Sequence, residues 1–335
     1  MPIKVGISGM GRIGRLVART IASDPDFELV GLNDLSKVDA IAHLLKYDSV
    51  HGRLFQTVDK VEGGLVLDGS FVAGLYSRDI GQLDWAALGA EVVIEASGNN
   101  DDGQQAAAHI AGGAQKVIIT APGKNVDATF VVGVNDGLYD PSVHHVVSNA
   151  SCTTNCLAPL AKVLDDEFGI LRGYMNTIHA YTNDQRILDG SHKDLRRARA
   201  AAMSIIPTST GAAKALGLVL PQLAGKLDGF ATRVPTPDAS MVDLTVELAC
   251  EVTAEQVNAA FATAAAGPLA GIIEYCTDPI VSVDVIGNPH SCVFDVGLTM
   301  VLGGQGSLVK CIAWYDNEWA YALRVADLAR IMMTR

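Results

Sequence analysis

The segment Gly9-Met10-Gly11-Arg12-Ile13-Gly14 follows a short apolar run, Ile3 to Ser8, and opens a helical pattern through Ile13, Leu16, Val17 and Ile21. In that setting a G-x-G-x-x-G stretch is the turn of a strand-turn-helix unit that holds a dinucleotide. Gly9 permits the tight turn, Gly11 lets backbone approach a pyrophosphate, and Gly14 lets the helix pack on the strand. The N–H groups that open the helix then face the anion. A second β-like run, Phe27 to Leu32, leads to Asp34. A carboxylate there can accept hydrogen bonds from the adenosine ribose of NAD and repels a 2′-phosphate. The plainer alternative is a glycine-rich turn with a solvated acid.

The alternation continues. Val38 to Leu45 reads as helix, and Glu91 to Ala96, Lys116 to Thr120, Phe130 to Val134 and Val146 to Val147 read as strands, with a small-residue helix over Gln104 to Ala111. Strands alternating with helices give an α/β fold of Rossmann type, a doubly wound parallel sheet. Beyond about residue 150 the style changes. Longer strands are predicted at Leu171 to Tyr181, Phe230 to Val234, Met241 to Ala249, Val281 to Ile286, Cys292 to Leu302 and Leu308 to Tyr315, with helices near Thr153 to Glu167, Gly211 to Gln222 and Ala254 to Ala265. That is a second domain of α+β type with a mixed or antiparallel sheet. The expected division is 1–151 with the C-terminal helix 318–335 as a nucleotide-binding domain, and 152–317 as a catalytic domain.

Charge excludes some partners. Twenty-five basic against 37 acidic residues leave a net −12, a field that repels nucleic acid and anionic lipid. No apolar run is long enough to span a bilayer and Met1 to Gly6 has no signal-peptide pattern, so no membrane partner and a cytoplasmic location are expected. The six cysteines follow no disulfide framework, which favours reduced thiols.

In Ser148-Asn149-Ala150-Ser151-Cys152-Thr153-Thr154-Asn155-Cys156 the first cysteine precedes the periodic Leu157, Leu160 and Leu164, which puts Cys152 at a helix N-terminus. Free N–H groups and the helix dipole there favour thiolate and a lowered pKa. The best base among the eight histidines is His179, near the end of a strand in the same half. A buried small cysteine with a satisfied sheet histidine is the alternative. A zinc site on C-x-x-x-C without a second cysteine pair is weakly supported, and no metal is expected. Anion partners accompany the pair in an otherwise acidic chain: Thr182, Arg196, Arg197, Arg199, Thr208, Ser209, Thr210, Gly211 and Arg233, although Arg196 to Arg199 alone reads equally as a solvated surface run or a subunit-contact loop. Guanidinium forks and threonine hydroxyls suit phosphate oxygens.

These segments, together with Lys46 to Gly52, His179 to Gln185, Pro207 to Lys214, Arg233 to Pro237 and Trp314 to Trp319, resemble the phosphorylating glyceraldehyde-3-phosphate dehydrogenases from the first strand to the last helix. The resemblance implies Cys152 as nucleophile and His179 as its base. It implies Arg12, Ile13, Asp34, Arg78, Thr120 and Asn317 in the NAD site beside Gly9, Gly11 and Gly14. Ser151, Cys152, Thr153, Thr182, Arg197, Thr210, Gly211 and Arg233 would hold glyceraldehyde 3-phosphate and inorganic phosphate, with Arg196 or Arg199 as substitutes for Arg197. A homotetramer in glycolysis or gluconeogenesis is also implied. Gly190-Ser191 resembles members that accept NADP, whereas Asp34 argues for NAD, so NAD preferred with NADP accepted is the expectation. Erythrose-4-phosphate dehydrogenase resembles the same pattern but fits Pro207 to Lys214 less well. A noncatalytic NAD-binding redox sensor, with Cys156 resolving an oxidised Cys152, is the reading from another class.

Overall fold

The computed structural model describes residues 1–335, which divide into two compact units. The first comprises Met1–Val132, Asp136–Ser151 and Ala322–Arg335, and the second Gly133–Asn135 and Cys152–Tyr321. Gly133 goes with the second unit at φ +83°, where a Cβ would lie 2.8 Å from Ile272.

The first unit is a nine-stranded sheet. Its inner strands, Ile3–Ser8, Phe27–Asn33, Val92–Glu95, Lys116–Ile119 and Val146–Ser148, run parallel. Val92 to Glu95 and Lys116 to Ile119 are buried at every position, as expected for parallel strands covered on both faces. Ser8 pairs in register with Asn33 and Glu95, Asn33 with Leu75, and Glu95 with Ile119, so the carboxyl ends of five strands share one rim. Ligands of open parallel sheets bind beyond that rim.

Two predicted strands are absent. Phe130 adds one hydrogen bond to Ser148, after which Gly133 at positive φ turns the chain away. Val281 to Ile286 is instead a short 3-10 turn, because the Asp284 carboxylate accepts the Val281 N–H and closes it locally. Gln104 to Ala111 is split into Gly103–Ala106 and Ala108–Ala111. Val58–Val61, Gly64–Leu67 and Ser70–Leu75 form an antiparallel edge beyond the expected strands, with Gly63 and Asp68-Gly69, all at positive φ, at its turns.

The second unit is an eight-stranded mixed sheet. Ile170–Ala180 runs parallel to Leu227–Val234 and antiparallel to Ser240–Thr253, which in turn pairs with Gln305–Tyr315. The helix Cys152–Phe168 is buried over most of its length and packs on this sheet. No helix is long and apolar enough to cross a membrane.

Candidate active site

The rim of the first unit carries the predicted nucleotide residues other than Asn317, which belongs to the second unit. Gly9 has φ +97°, and a Cβ on it would lie 2.4 Å from the Ser97 nitrogen; one on Gly14 would lie 1.9 Å from the Gly9 oxygen. Neither position tolerates a side chain. A Cβ on Gly11 would meet nothing within 4 Å, and the helix Arg12–Ala22 that follows has neither a side-chain cap nor an acid in its first turn. An open approach to uncapped N–H groups fits a pyrophosphate. Asp34 Oδ2 accepts the Met10 N–H at 2.6 Å and Oδ1 the Ser36 N–H at 2.7 Å. Burial pushes its pKa up, but these two donors and the nearby Arg15 outweigh that and hold the carboxyl below its usual range. Arg12 is oriented by Asp48 at 3.1 Å, Thr120 bonds the Glu95 carbonyl, and exposed Arg78 lies on the loop beyond Ser70–Leu75.

In the second unit Cys152 is the first residue of its helix and His179 the penultimate residue of its strand. Cys152 Sγ lies 3.5 Å from His179 Nε2. His179 Nδ1 is 2.7 Å from the Ala180 carbonyl, an acceptor, so the ring hydrogen sits on Nδ1 and the Nε2 lone pair faces the sulfur. Burial pushes the thiol up to about 11, against the Arg233 cation and the N–H and hydroxyl of Thr153, which pull it down. Burial and the Arg233 cation together press the imidazole down to about 3. The helix N-terminus alone gave the opposite expectation for the thiol, and desolvation of a single charge is what reverses it. Proton transfer from Sγ to Nε2 creates both charges at once, side by side, so the pair titrates as a unit and the mutual attraction offsets part of the burial cost.

Arg233 stands opposite His179 on the adjacent parallel strand and donates to the Ala180 carbonyl at 3.1 Å and the Thr182 hydroxyl at 3.4 Å. Of the three neighbouring arginines, Arg197 is the one held by several protein partners: Nε donates to Thr208, Nη1 to Asp184 and Nη2 to the Ser209 carbonyl. Two of its five N–H groups remain for an oxyanion. Arg196 and Arg199 are exposed, and Arg199 pairs with Asp189. Thr210 Oγ1 accepts the Ala212 N–H, and Gly211 opens the helix Ala212–Val219. Ser151 immediately precedes the nucleophile helix, behind Ala150, which is held at φ +56° with its N–H on the Ser148 hydroxyl.

Two contributors carried no signal of their own in the sequence. The fully buried Tyr315 hydroxyl bonds Thr153 at 2.9 Å and Thr177 at 2.8 Å, joining the first turn of the nucleophile helix to the strand that ends at His179. The Ser240 hydroxyl accepts the Ala180 N–H and donates to Asn317 Oδ1 at 2.6 Å.

Residues 3–102 match the family model "Glyceraldehyde 3-phosphate dehydrogenase, NAD binding domain", and residues 151–317 match "Glyceraldehyde 3-phosphate dehydrogenase, C-terminal domain". The chain is 55% identical over its full length to glyceraldehyde-3-phosphate dehydrogenase of Geobacillus stearothermophilus, covering 99% of that protein. It is 56% identical to the Streptomyces coelicolor protein of that name, over 98% of each chain. Against glyceraldehyde-3-phosphate dehydrogenase 1 of Bacillus subtilis the identity is 55%, again over 98% of each. Fold and site thus define an NAD-dependent oxidoreductase. Within that class, the chain belongs to the glyceraldehyde-3-phosphate dehydrogenase family.

Proposed function

We propose that the chain oxidises glyceraldehyde 3-phosphate with NAD and inorganic phosphate to 1,3-bisphosphoglycerate through a covalent step on Cys152. The observation that carries this reading is the 3.5 Å approach of Cys152 Sγ to the Nε2 lone pair of His179 at the start of a helix. His179 takes the thiol proton as the sulfur adds to the aldehyde carbon, and returns it to the nascent oxyanion to give a thiohemiacetal. Bound NAD supplies the hydride acceptor. As the hydride leaves, Nε2 recovers the hydroxyl proton and a thioester remains on Cys152. The oxygen of inorganic phosphate attacks the thioester carbonyl, and the sulfur departs as thiolate beside the imidazolium.

Two anionic groups need two sets of partners, and Thr182 with Arg233, and Arg197 with Thr210 and Gly211, provide them. Asn317 has its Oδ1 taken by Ser240, which leaves its Nδ2 to donate to the cofactor amide. Asp34 supports NAD over NADP. Ile187, Leu188, Leu195 and Met203 are exposed apolar residues in Tyr181 to Met203, which supports contact with further copies in a homotetramer. Six free cysteines support a reducing, cytoplasmic setting.

The test is NADH formation from glyceraldehyde 3-phosphate, with and without phosphate, using both cofactors, alongside mass spectrometry of enzyme quenched in mid-cycle. An acyl adduct on Cys152 and phosphate-dependent turnover are expected. Faster turnover of erythrose 4-phosphate, or silence with both aldehydes, would select the other readings.

A further inference from the structure

Behind the glycine turn runs a buried line of polar side chains that the reaction does not use. Glu95 ends the strand Val92–Glu95, and its carboxylate is 1% exposed. Its Oε2 lies 3.0 Å from His109 Nε2, and His109 Nδ1 lies 3.0 Å from Trp85 Nε1. An indole nitrogen only donates, so Nδ1 carries the lone pair and the ring hydrogen sits on Nε2, donated to Glu95. The polarity of the line is thereby fixed from Trp85 to Glu95. Trp85 itself is wedged in place, because a Cβ on Gly6 would lie 2.5 Å from its ring.

At its other end the carboxylate gathers a loop. Oε1 accepts the Ser97 N–H at 2.8 Å and the Ser97 hydroxyl at 2.5 Å, and Oε2 accepts from Asn100 Nδ2 at 3.3 Å. Every partner donates, which keeps the carboxyl ionised even though burial disfavours the charge. The loop so held is the wall against which Gly9 turns: the Ser97 nitrogen occupies the space a Gly9 side chain would need. The main-chain carbonyl of Glu95 also accepts both the N–H and the hydroxyl of Thr120.

We propose that Glu95 is a positioning residue for NAD: oriented by His109 and Trp85, its side chain fixes the Ser97 to Asn100 loop and with it the shape of the dinucleotide cradle. The proposal rests on NAD being the cofactor.

Glu95→Gln tests it. If the amide oxygen keeps Ser97, the amide N–H groups face the His109 Nε2–H, and His109 cannot change tautomer while the Trp85 N–H occupies Nδ1. In Trp85→Phe it can. NAD affinity is measured by titration calorimetry on wild type, both single variants and the double variant, with Tm recorded in parallel and KM for NAD compared with kcat.

The expected result is a roughly tenfold weaker Kd for Glu95→Gln, about 1.4 kcal/mol, with KM raised and kcat nearly kept. In the Trp85→Phe background the same change is expected to cost less than about threefold. A lowered Tm with NAD affinity within twofold of wild type would make Glu95 merely structural, and equal costs in both backgrounds would overturn the polarised line. Should Glu95→Gln not fold, Ser97→Ala removes the hydroxyl that donates to Glu95 and accepts from the Asn99 N–H and Asn100 Nδ2, and an unchanged Kd there sinks the proposal. Wild type that fails to bind NAD would instead refute the cofactor assignment.

Discussion

Arg233 and His179 face each other across neighbouring parallel strands, with Nη1 3.1 Å from Nδ1 and both nitrogens converging on the Ala180 carbonyl. Because that carbonyl takes the Nδ1 hydrogen, Nε2 is left as the base toward Cys152. Because the guanidinium stands so close, a positive imidazole is disfavoured until a thiolate forms beside it. The same arginine therefore restrains the base and favours the anion of the nucleophile.

Replacing His179 by Asn removes the proton acceptor but not the burial. With the burial that pushes the thiol up still in place and no coupled base beside it, alkylation by iodoacetamide should become slower at neutral pH and rise only in strong base. In wild type the inflection is expected at lower pH than in the variant, since ionisation of the sulfur is coupled to proton uptake by Nε2. Superimposable profiles for the two proteins would remove His179 from the proton transfer.

Tyr315→Phe keeps the ring, which lies edge-on to His179 at 6.0 Å, and deletes the hydroxyl between Thr153 and Thr177. Two hydroxyls lose a buried partner, at a cost of about 1–3 kcal/mol in stability. With the helix start no longer tied to the histidine strand, kcat should fall by about tenfold while KM for NAD stays put. Loss of Tm without loss of kcat would show that the tie is structural only.

The arginine run separates by measurement. Arg197→Met should raise KM for phosphate or triose phosphate by at least about tenfold, the worth of one or two charge-assisted hydrogen bonds. Arg199→Met breaks an exposed pair with Asp189 and should change either constant by less than about twofold. Equal effects of the two substitutions would remove Arg197 from the oxyanion site.

Asp34→Ala takes away the ribose acceptor together with the negative charge that opposes a 2′-phosphate. The ratio of kcat/KM for NAD to that for NADP should fall by about tenfold or more, mostly through weaker use of NAD. Gly190-Ser191 is unchanged in this variant, so a ratio that does not move would put cofactor choice on that segment.

Much of this molecule is legible along the chain because its signals are local. Gly9, Gly11 and Gly14 act within one turn, Asp34 follows directly on the next strand, and Cys152 stands where a helix begins, so residue type and spacing were enough to mark them as candidates. Val281 to Ile286 and Phe130 to Val134 misled because β-branched composition favours a strand, while one carboxylate at Asp284 and one glycine at Gly133 decide otherwise.

The sequence by itself determined that a nucleotide turn and a helix-end cysteine exist in one chain, and it marked a set of candidate oxyanion partners beside them. Only the tertiary structure decided which partners meet. Register across parallel strands placed Arg233 against His179, and packing chose Arg197 over its neighbours. Burial set the sign of the Cys152 and His179 shifts, since the cost of a charge depends on what surrounds it in space and not on what adjoins it in the chain.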